Sequence, residues 1–454
     1  MRTRAERRVA ARYRWDRLKV SFWFAPVLMA LGAVLLAWAM YWLDSLVPNE
    51  ALASSRFILG GTPSELRSAL LSMAGTVLAT AGVVFTLLTL PLSTVAAQYG
   101  SRLLRLFLGD RTTQFVLGMF VATFVYCIAA ALSIPSGDAL SDSPQLTASL
   151  GVYLMLATFA TLILLVQHIS TMLQAPNIAA AAGVELQNVV SAEISNKVTS
   201  DDEGHGRPDT RPDSSDAPIA LAEIDGYPIR ARSTGYIQFI DPDTLLTLAR
   251  EQDLTIRLLR RPGSHVWSGA VVALVSPADR VDEQLDKLIR RAFQIGNGRT
   301  PTQDVEYAVN QLTEMAVRAM SAAINDPFTA MTCLDHVGHG LGEFIRQGQK
   351  GSHYYDQAGK LRLVLEPVTL EVLLDAAFDM LRHASCDNAS VLLHMLKVID
   401  LIGQEVKTPE ARQQLLRHVS LIQAESQAGA LIEQDRQSIQ RNGQALQTKL
   451  EGVP

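Results

Sequence analysis

The sequence predicts an α-helical multi-pass membrane domain of four spans, followed by an α/β cytoplasmic region with a small β module and a helical module. Three observations lead there. Within the first 184 residues, four stretches of about 20 residues or more carry no charged side chain, longer than soluble domains ordinarily run and enough for a helix to cross a hydrocarbon core of about 30 Å. The charge divides at the same place: residues 1–184 hold 13 Lys/Arg against 8 Asp/Glu, net +5, and residues 185–454 hold 27 against 37, net −10. Beyond the last apolar stretch the pattern changes to short β-branched runs and then to amphipathic helical spacing.

These totals exclude several classes. The apolar content of 48% is too high for a disordered chain, and 29 Gly with 19 Pro in 454 residues is too few for a collagen-like one. Three widely separated cysteines, Cys127, Cys333 and Cys386, form no C-x-x-C pair and no disulfide framework. An acidic second half argues against non-specific nucleic-acid binding.

Residues 1–21 form a basic segment whose Val9, Tyr13, Trp15 and Leu18 alternate with arginines, suited either to anionic lipid or to setting topology. The first span, 22–43, lies between Lys19 and Asp44 with Trp23, Trp38, Tyr41 and Trp42 toward its ends. Ala37-Trp38-Ala39 resembles a signal cleavage site, but the apolar run continues past it. The second span lies within 68–101, a charge-free stretch of 34 residues that exceeds a straight crossing, with Pro91 as the expected bend. In it Ser72, Gly75, Ala79 and Gly82 recur at three- and four-residue spacing, with Thr76 and Pro91 adjoining the stripe. Such small residues let a second helix approach closely or line a pathway. The third span, 113–134, follows Asp110 as its expected cap, and the fourth covers 146–166. A helical extension to residue 184 closes the membrane domain, 22–184.

Orientation follows from Lys/Arg in the connections. Eight lie before the first span, two in the next loop (Arg56, Arg67), three in the second connection (Arg102, Arg105, Arg111) and none in the third. Both termini are therefore expected in the cytoplasm. Arg102, Arg105, Asp110 and Arg111 then form a loop suited to lipid headgroups or to gating.

Residues 185–217 read as a helix end and flexible linker, rich in Asp, Ser, Pro and Gly. Residues 218–278 read as the β module. Strands are expected at 236–240 and 254–259, a helix at 243–252 capped by Asp241 or Asp243, and turns at Pro262-Gly263 and Gly269. The pattern has a fold-level likeness to biotinyl and lipoyl domains, but no lysine stands between Val266 and Leu274 to carry a group. Residues 279–454 read as the helical module. Thr300-Pro301-Thr302-Gln303 has the form of a capping box with Pro in the first turn, and Asp326-Pro327 opens the next helix, to about Arg346.

The order GRTPTQDVEYAVNQLTEMAVRAMSAAINDPFTAMTCLD, with QYGSRLLRLFLGDRTTQFVLGMFVATFVYC upstream, resembles the bacterial predicted membrane protein family known as domain of unknown function 2254. The resemblance implies several inner-membrane helices followed by a cytoplasmic domain and implies no activity.

Asp304, Asn325 and Asp326 are a candidate polar cluster, convergent on a cation or polar ligand if their helices pair, and otherwise caps. His336, His339 and Glu343 share one helix side, but without an HExxH pattern and among three glycines no metal site is expected. No nucleophile elbow, phosphate loop or dinucleotide fingerprint is present. An enzyme is left as a third class that no catalytic motif supports; the expectation is therefore an oligomeric channel-like or transport-like protein with a cytoplasmic regulatory domain. It has no cofactor or metal and no nucleic-acid partner; the lipid bilayer and its anionic headgroups are its surroundings, and a homo-oligomer its state. The alternative is a membrane-anchored sensor or scaffold whose cytoplasmic domain binds a ligand or partner, which the lack of charge inside the spans favours over an ion-coupled transporter.

Overall fold

The computed structural model describes residues 23–46, 58–99, 110–134, 144–195, 226–348, 352–356 and 358–452. The basic segment 1–21, most of the linker, and Arg102 and Arg105 lie outside them. The chain forms two compact units, 1–177 and 178–454.

The first unit contains α1 (Phe24–Asp44), α2 (Pro63–Tyr99), α3 (Arg111–Ser133) and α4 (Gln145–Met172). All four are long and apolar enough to cross a membrane. Helix α2 begins earlier than the charge-free stretch. Thr62 and Glu65 form a reciprocal capping box, Thr62 N donating to Glu65 Oε2 at 2.8 Å and Glu65 N to Thr62 Oγ1 at 3.4 Å, with Pro63 in the first turn. It then runs 37 residues, past Pro91 to Tyr99, about 55 Å at 1.5 Å per residue.

Helix α3 is the centre of this unit, with half of its apolar window buried against about a fifth for the other three. Its Tyr126, Cys127 and Ala130 pack with Leu66, Leu70 and Ala74 of α2, and its Phe120 with Val77 and Val84. Polar groups inside are paired: Thr123 and Thr158 share a 2.7 Å hydrogen bond, and Tyr126 donates to the Thr147 carbonyl at 2.8 Å. Asp44, at the end of α1, accepts from the backbone of Leu146 (2.9 Å) and Thr147 (2.8 Å). It thus caps α4 across 102 residues, and its charge sits at the positive end of that helix dipole.

The second unit opens with α5 (Ala175–Ser195), which begins just before the division. Its Ile178, Ala179, Ala182, Leu186, Val189 and Val190 are buried at helical spacing. The β region follows: β1 (Tyr227–Arg230), β2 (Gly235–Ile240), α6 (Pro242–Glu251), β3 (Thr255–Leu258), β4 (His265–Val266), β5 (Val271–Ser276), α7 (Glu283–Arg291) and β6 (Phe293–Gly296). Asp241 is the cap of α6, accepting from Thr244 N at 3.1 Å. Next come α8 (Val305–Ala319), α9 (Pro327–Gln347), β7 (His353–Tyr355), β8 (Leu361–Val364), α10 (Leu370–Ala384), α11 (Ala389–Gly403), α12 (Pro409–Ala428) and α13 (Glu433–Glu451).

The strands make a five-stranded sheet ordered β1-β5-β3-β8-β7 and a three-stranded sheet ordered β4-β2-β6. Every pairing is antiparallel except β3 with β8, where Ile256 lies opposite Leu363. Ile229, Ile237, Leu245, Ile256, Val275, Ile289 and Leu363 fill the core between sheets and helices. The two sheets therefore take three strands from beyond the 218–278 segment expected to hold the β module: β7 and β8 in the larger, β6 in the smaller. Arg362 on β8 is 7% exposed and bonds both Asp253 and Asp356 at 2.7 Å. Hydrogen bonds from Lys360, Arg280 and Arg362 hold the Asp253 carboxyl well below the usual carboxylate range.

Helices α8 to α13 form the bundle. Helix α8 packs on α9 and α10, α11 on α9 and α13, and α12 on α10 and α13. Asp304, Asp326, Thr369, Asn388 and Thr408 each cap the helix that follows.

Candidate functional site

An open cleft lies between the sheets and the start of α8. Its apolar wall comes from Ile240, Leu258, Val305, Leu365 and Val368, and its polar rim from Arg260, Arg261, Glu306 and Glu366. Five separate segments meet there, and specific bonds hold them. The Gln303 side chain accepts from Ile240 N at 2.9 Å and donates to Ile240 O at 3.0 Å, completing the end of β2 as a further strand residue would. The Thr300-Pro301-Thr302-Gln303 box is thus not a cap; Thr300 Oγ1 instead donates to Gln238 O at 3.3 Å.

Asp304 is the cap of α8, accepting from Tyr307 N at 2.9 Å, and is 4% exposed. Arg299 grips it through two bonds, Nε to Oδ2 at 2.7 Å and Nη2 to Oδ1 at 2.8 Å. Burial opposes the guanidinium charge, but the bonds and charges of Asp304 and Glu306 outweigh it and raise the Arg299 pKa. Arg261 meets the other oxygen of Glu306 at 2.5 Å. At the mouth, Arg260 is exposed and among the described residues donates only to the Leu259 carbonyl, at 3.0 Å; Glu366, also exposed, lines the same rim.

This arrangement can bind a molecule; its chemistry for transforming one is sparse. Ser352 on the lining lies 2.8 Å from His353 Nδ1, yet the other imidazole nitrogen meets no carboxylate among the described residues. The described residues hold one group with metal-ligand proximity, Asp375, Asp379 and His418, whose ligand atoms lie within 4.8 Å. Its carboxylates are already engaged by Arg417 and Arg382, and it ties α10 to α12.

The residues singled out in the sequence are dispersed. Asp304 is in the cleft, but Asn325 and Asp326 stand past the far end of α8, about 22 Å along a 15-residue helix. The three do not converge: pairing α8 with α9 separates the two helix starts. Asn325 adopts φ +49° in the turn, tolerated by Asn, and Asp326 caps α9 through Thr329 N at 3.1 Å. Ser72, Gly75, Thr76, Ala79 and Gly82 lie on the exposed side of α2, opposite buried Leu66, Leu70, Val77 and Val84. Thr76 and Thr80 donate to the carbonyls four residues back, at 3.0 and 2.9 Å. Pro91 lies farther along the same helix. Asp110 caps α3 through Thr113 N at 2.7 Å and also meets His168 at 3.0 Å, while Arg111 is exposed. His336 packs at Gly183 of α5, and Glu343 pairs with Arg346.

A family profile described as "Predicted membrane protein (DUF2254)" matches residues 19–400. The chain belongs to that family. The DUF2254 match takes in all four apolar helices, both sheets, the whole cleft and most of the bundle. Similar to it are an uncharacterized protein of Mycobacterium bovis and one of Mycobacterium tuberculosis, each 25% identical over 435 residues, covering 93% of this chain and 79% of theirs. No solved structure matches the chain.

Proposed function

We propose that this DUF2254 member is a membrane-anchored ligand-binding protein. The four apolar helices hold it in a bacterial inner membrane, and the second unit, in the cytoplasm, binds a small, largely apolar molecule with a polar head. The observation that carries the reading is the cleft, with its apolar wall and a rim where Arg260 has no carboxylate partner among the described residues. The Lys/Arg-rich N-terminal segment supports the orientation. The test is a thermal-shift screen of amphipathic metabolites on the full chain in detergent, repeated on Arg260→Gln and on Leu365→Trp, which fills the cleft. A stabilising compound whose effect disappears in Leu365→Trp and weakens in Arg260→Gln supports the reading. Hits indifferent to both variants defeat it.

A second reading is an oligomeric pathway along α2. Gly75 and Gly82 have nothing within 4 Å of where a Cβ would stand, so this small-residue face is open to another copy. Ion flux in liposomes that survives Gly75→Leu and Gly82→Leu unchanged would count against it.

A further inference from the structure

The β region has a charge distribution unlike the unit around it. Residues 226–240 and 254–278 contain five arginines and no Asp or Glu, although residues 185–454 carry an excess of ten acidic groups. Two of those arginines, Arg230 and Arg232, stand where two loops of the β region form a tip. There the β1–β2 loop and the β4–β5 loop run side by side from one sheet to the other. Between them projects Trp267, 73% exposed.

The tip is built to hold that indole out. Ala270 N donates to Trp267 O at 3.0 Å, closing a turn with Gly269 at φ +87°, a conformation that needs glycine at this position. Gly269 N donates to Ala231 O at 2.9 Å, and Ser268 N to Thr234 Oγ1 at 3.1 Å, locking the loops together. Arg230 donates to Gly269 O at 2.9 Å, and Arg232 is exposed with no ion pair among the described residues. A large aromatic ring fixed in solvent beside unneutralised guanidinium groups suits one environment. Tryptophan settles at the headgroup level of a bilayer, and arginine is drawn to anionic lipid there.

We propose that the Trp267 tip, with Arg230 and Arg232, docks the second unit on an anionic lipid surface. The occupant is the headgroup region itself: the four apolar helices of the same chain bring a bilayer within tethered reach, and the acid-free tip is complementary to it in charge. Each arginine is worth about fivefold in the docked-to-undocked ratio, so the pair is worth about 30-fold, reduced by salt as the Debye length shortens. The inference is independent of what the cleft binds.

The test uses the full chain in nanodiscs of phosphatidylcholine alone or mixed with phosphatidylglycerol, carrying lipids brominated near the glycerol end. The chain has five tryptophans, so the contribution of Trp267 is the emission of the parent minus that of Trp267→Phe. That contribution should be quenched in discs containing phosphatidylglycerol, and the quenching should be lost in Arg230→Gln/Arg232→Gln and at high salt. Both arginines are exposed, and an unchanged melting temperature verifies the fold of the double variant. Trp267 emission that is unquenched in every disc, or quenched equally with and without phosphatidylglycerol, overturns the proposal.

Discussion

Replacing Asp304 with alanine should loosen the start of α8 by about 3 kcal/mol. The carboxylate does two things at a site 4% exposed: it caps the helix through Tyr307 N and neutralises Arg299 through two bonds. Loss of a cap costs about 1 kcal/mol. Leaving a fully buried partner unpaired costs about 3–5 kcal/mol, but Arg299 is half-buried and Glu306 remains 3.3 Å from it, which lowers this part to about 2 kcal/mol. The sum corresponds to roughly 150-fold faster exchange through local opening. Hydrogen exchange read by mass spectrometry over residues 305–310 measures it without assuming that the whole chain unfolds in one step. Asp304→Asn keeps one acceptor oxygen for Tyr307 N but loses the charge and the second acceptor that faces Arg299, so it should lie between alanine and the parent. Adding Arg299→Met should recover part of the asparagine loss, because the stranded cation is gone. Exchange in Asp304→Ala within twofold of the parent would refute the reasoning.

Phe378→Ala, at a position fully buried and 5.5 Å from the His418 ring, should cost about 3–5 kcal/mol and lower the melting of the second unit by roughly 10 °C in calorimetry; a shift under a few degrees would contradict its place in the core. Burial first, then the charge of Arg417, holds the His418 pKa below its ordinary 6.5. The unfolded chain therefore takes up a proton that the native ring refuses, and this contribution to stability is full above pH 6.5 and falls as pH drops toward the lower native value. His418→Gln should flatten, without abolishing, the loss of stability between neutral and mildly acid pH, because His336 is shifted in the same sense by burial; an unchanged slope would refute this. Cys333 is wholly buried, and its thiol is pushed up to about 12 by burial and then by Asp326, so maleimide should label half-buried Cys386 first and Cys333 only on unfolding, as peptide mapping would reveal.

Local signals carried well where the competing interactions are also local. Asp110, Asp241 and Asp326 were legible as caps because each bonds a backbone amide three residues ahead, and the apolar helices because their composition alone decides them. The start of α8 was misread for a tertiary reason. Thr300 to Gln303 has the chemistry of a capping box, but Ile240, on a distant strand, captures the Gln303 amide, and Asp304 can cap because Arg299 neutralises it. Strands β7 and β8 were missed because they are three and four residues long and lie between helices. One of the two partners of β8, strand β3, lies about a hundred residues upstream. For the same reason Asp304 stood out while Arg260, Arg261 and Glu366 did not: the cleft exists only where distant segments meet. Asp44 read as the edge of a span, and nothing in its neighbourhood shows that it caps another helix.

The parallel pairing of β3 with β8 also sets an order of events during synthesis. Thr255 Oγ1 donates to the Leu361 carbonyl across 106 residues, so β3 emerges from the ribosome long before its neighbour exists. At about 5–20 residues per second, its outer edge stays bare for roughly 5 to 20 seconds, a row of unpaired amides and carbonyls open to any other strand. Nascent chains of this protein are therefore most prone to aggregate while α8 and α9 are being made. A fragment ending between those helices and β8 would keep that open edge permanently, so it should be recovered as aggregate where a fragment ending after β8 stays in solution.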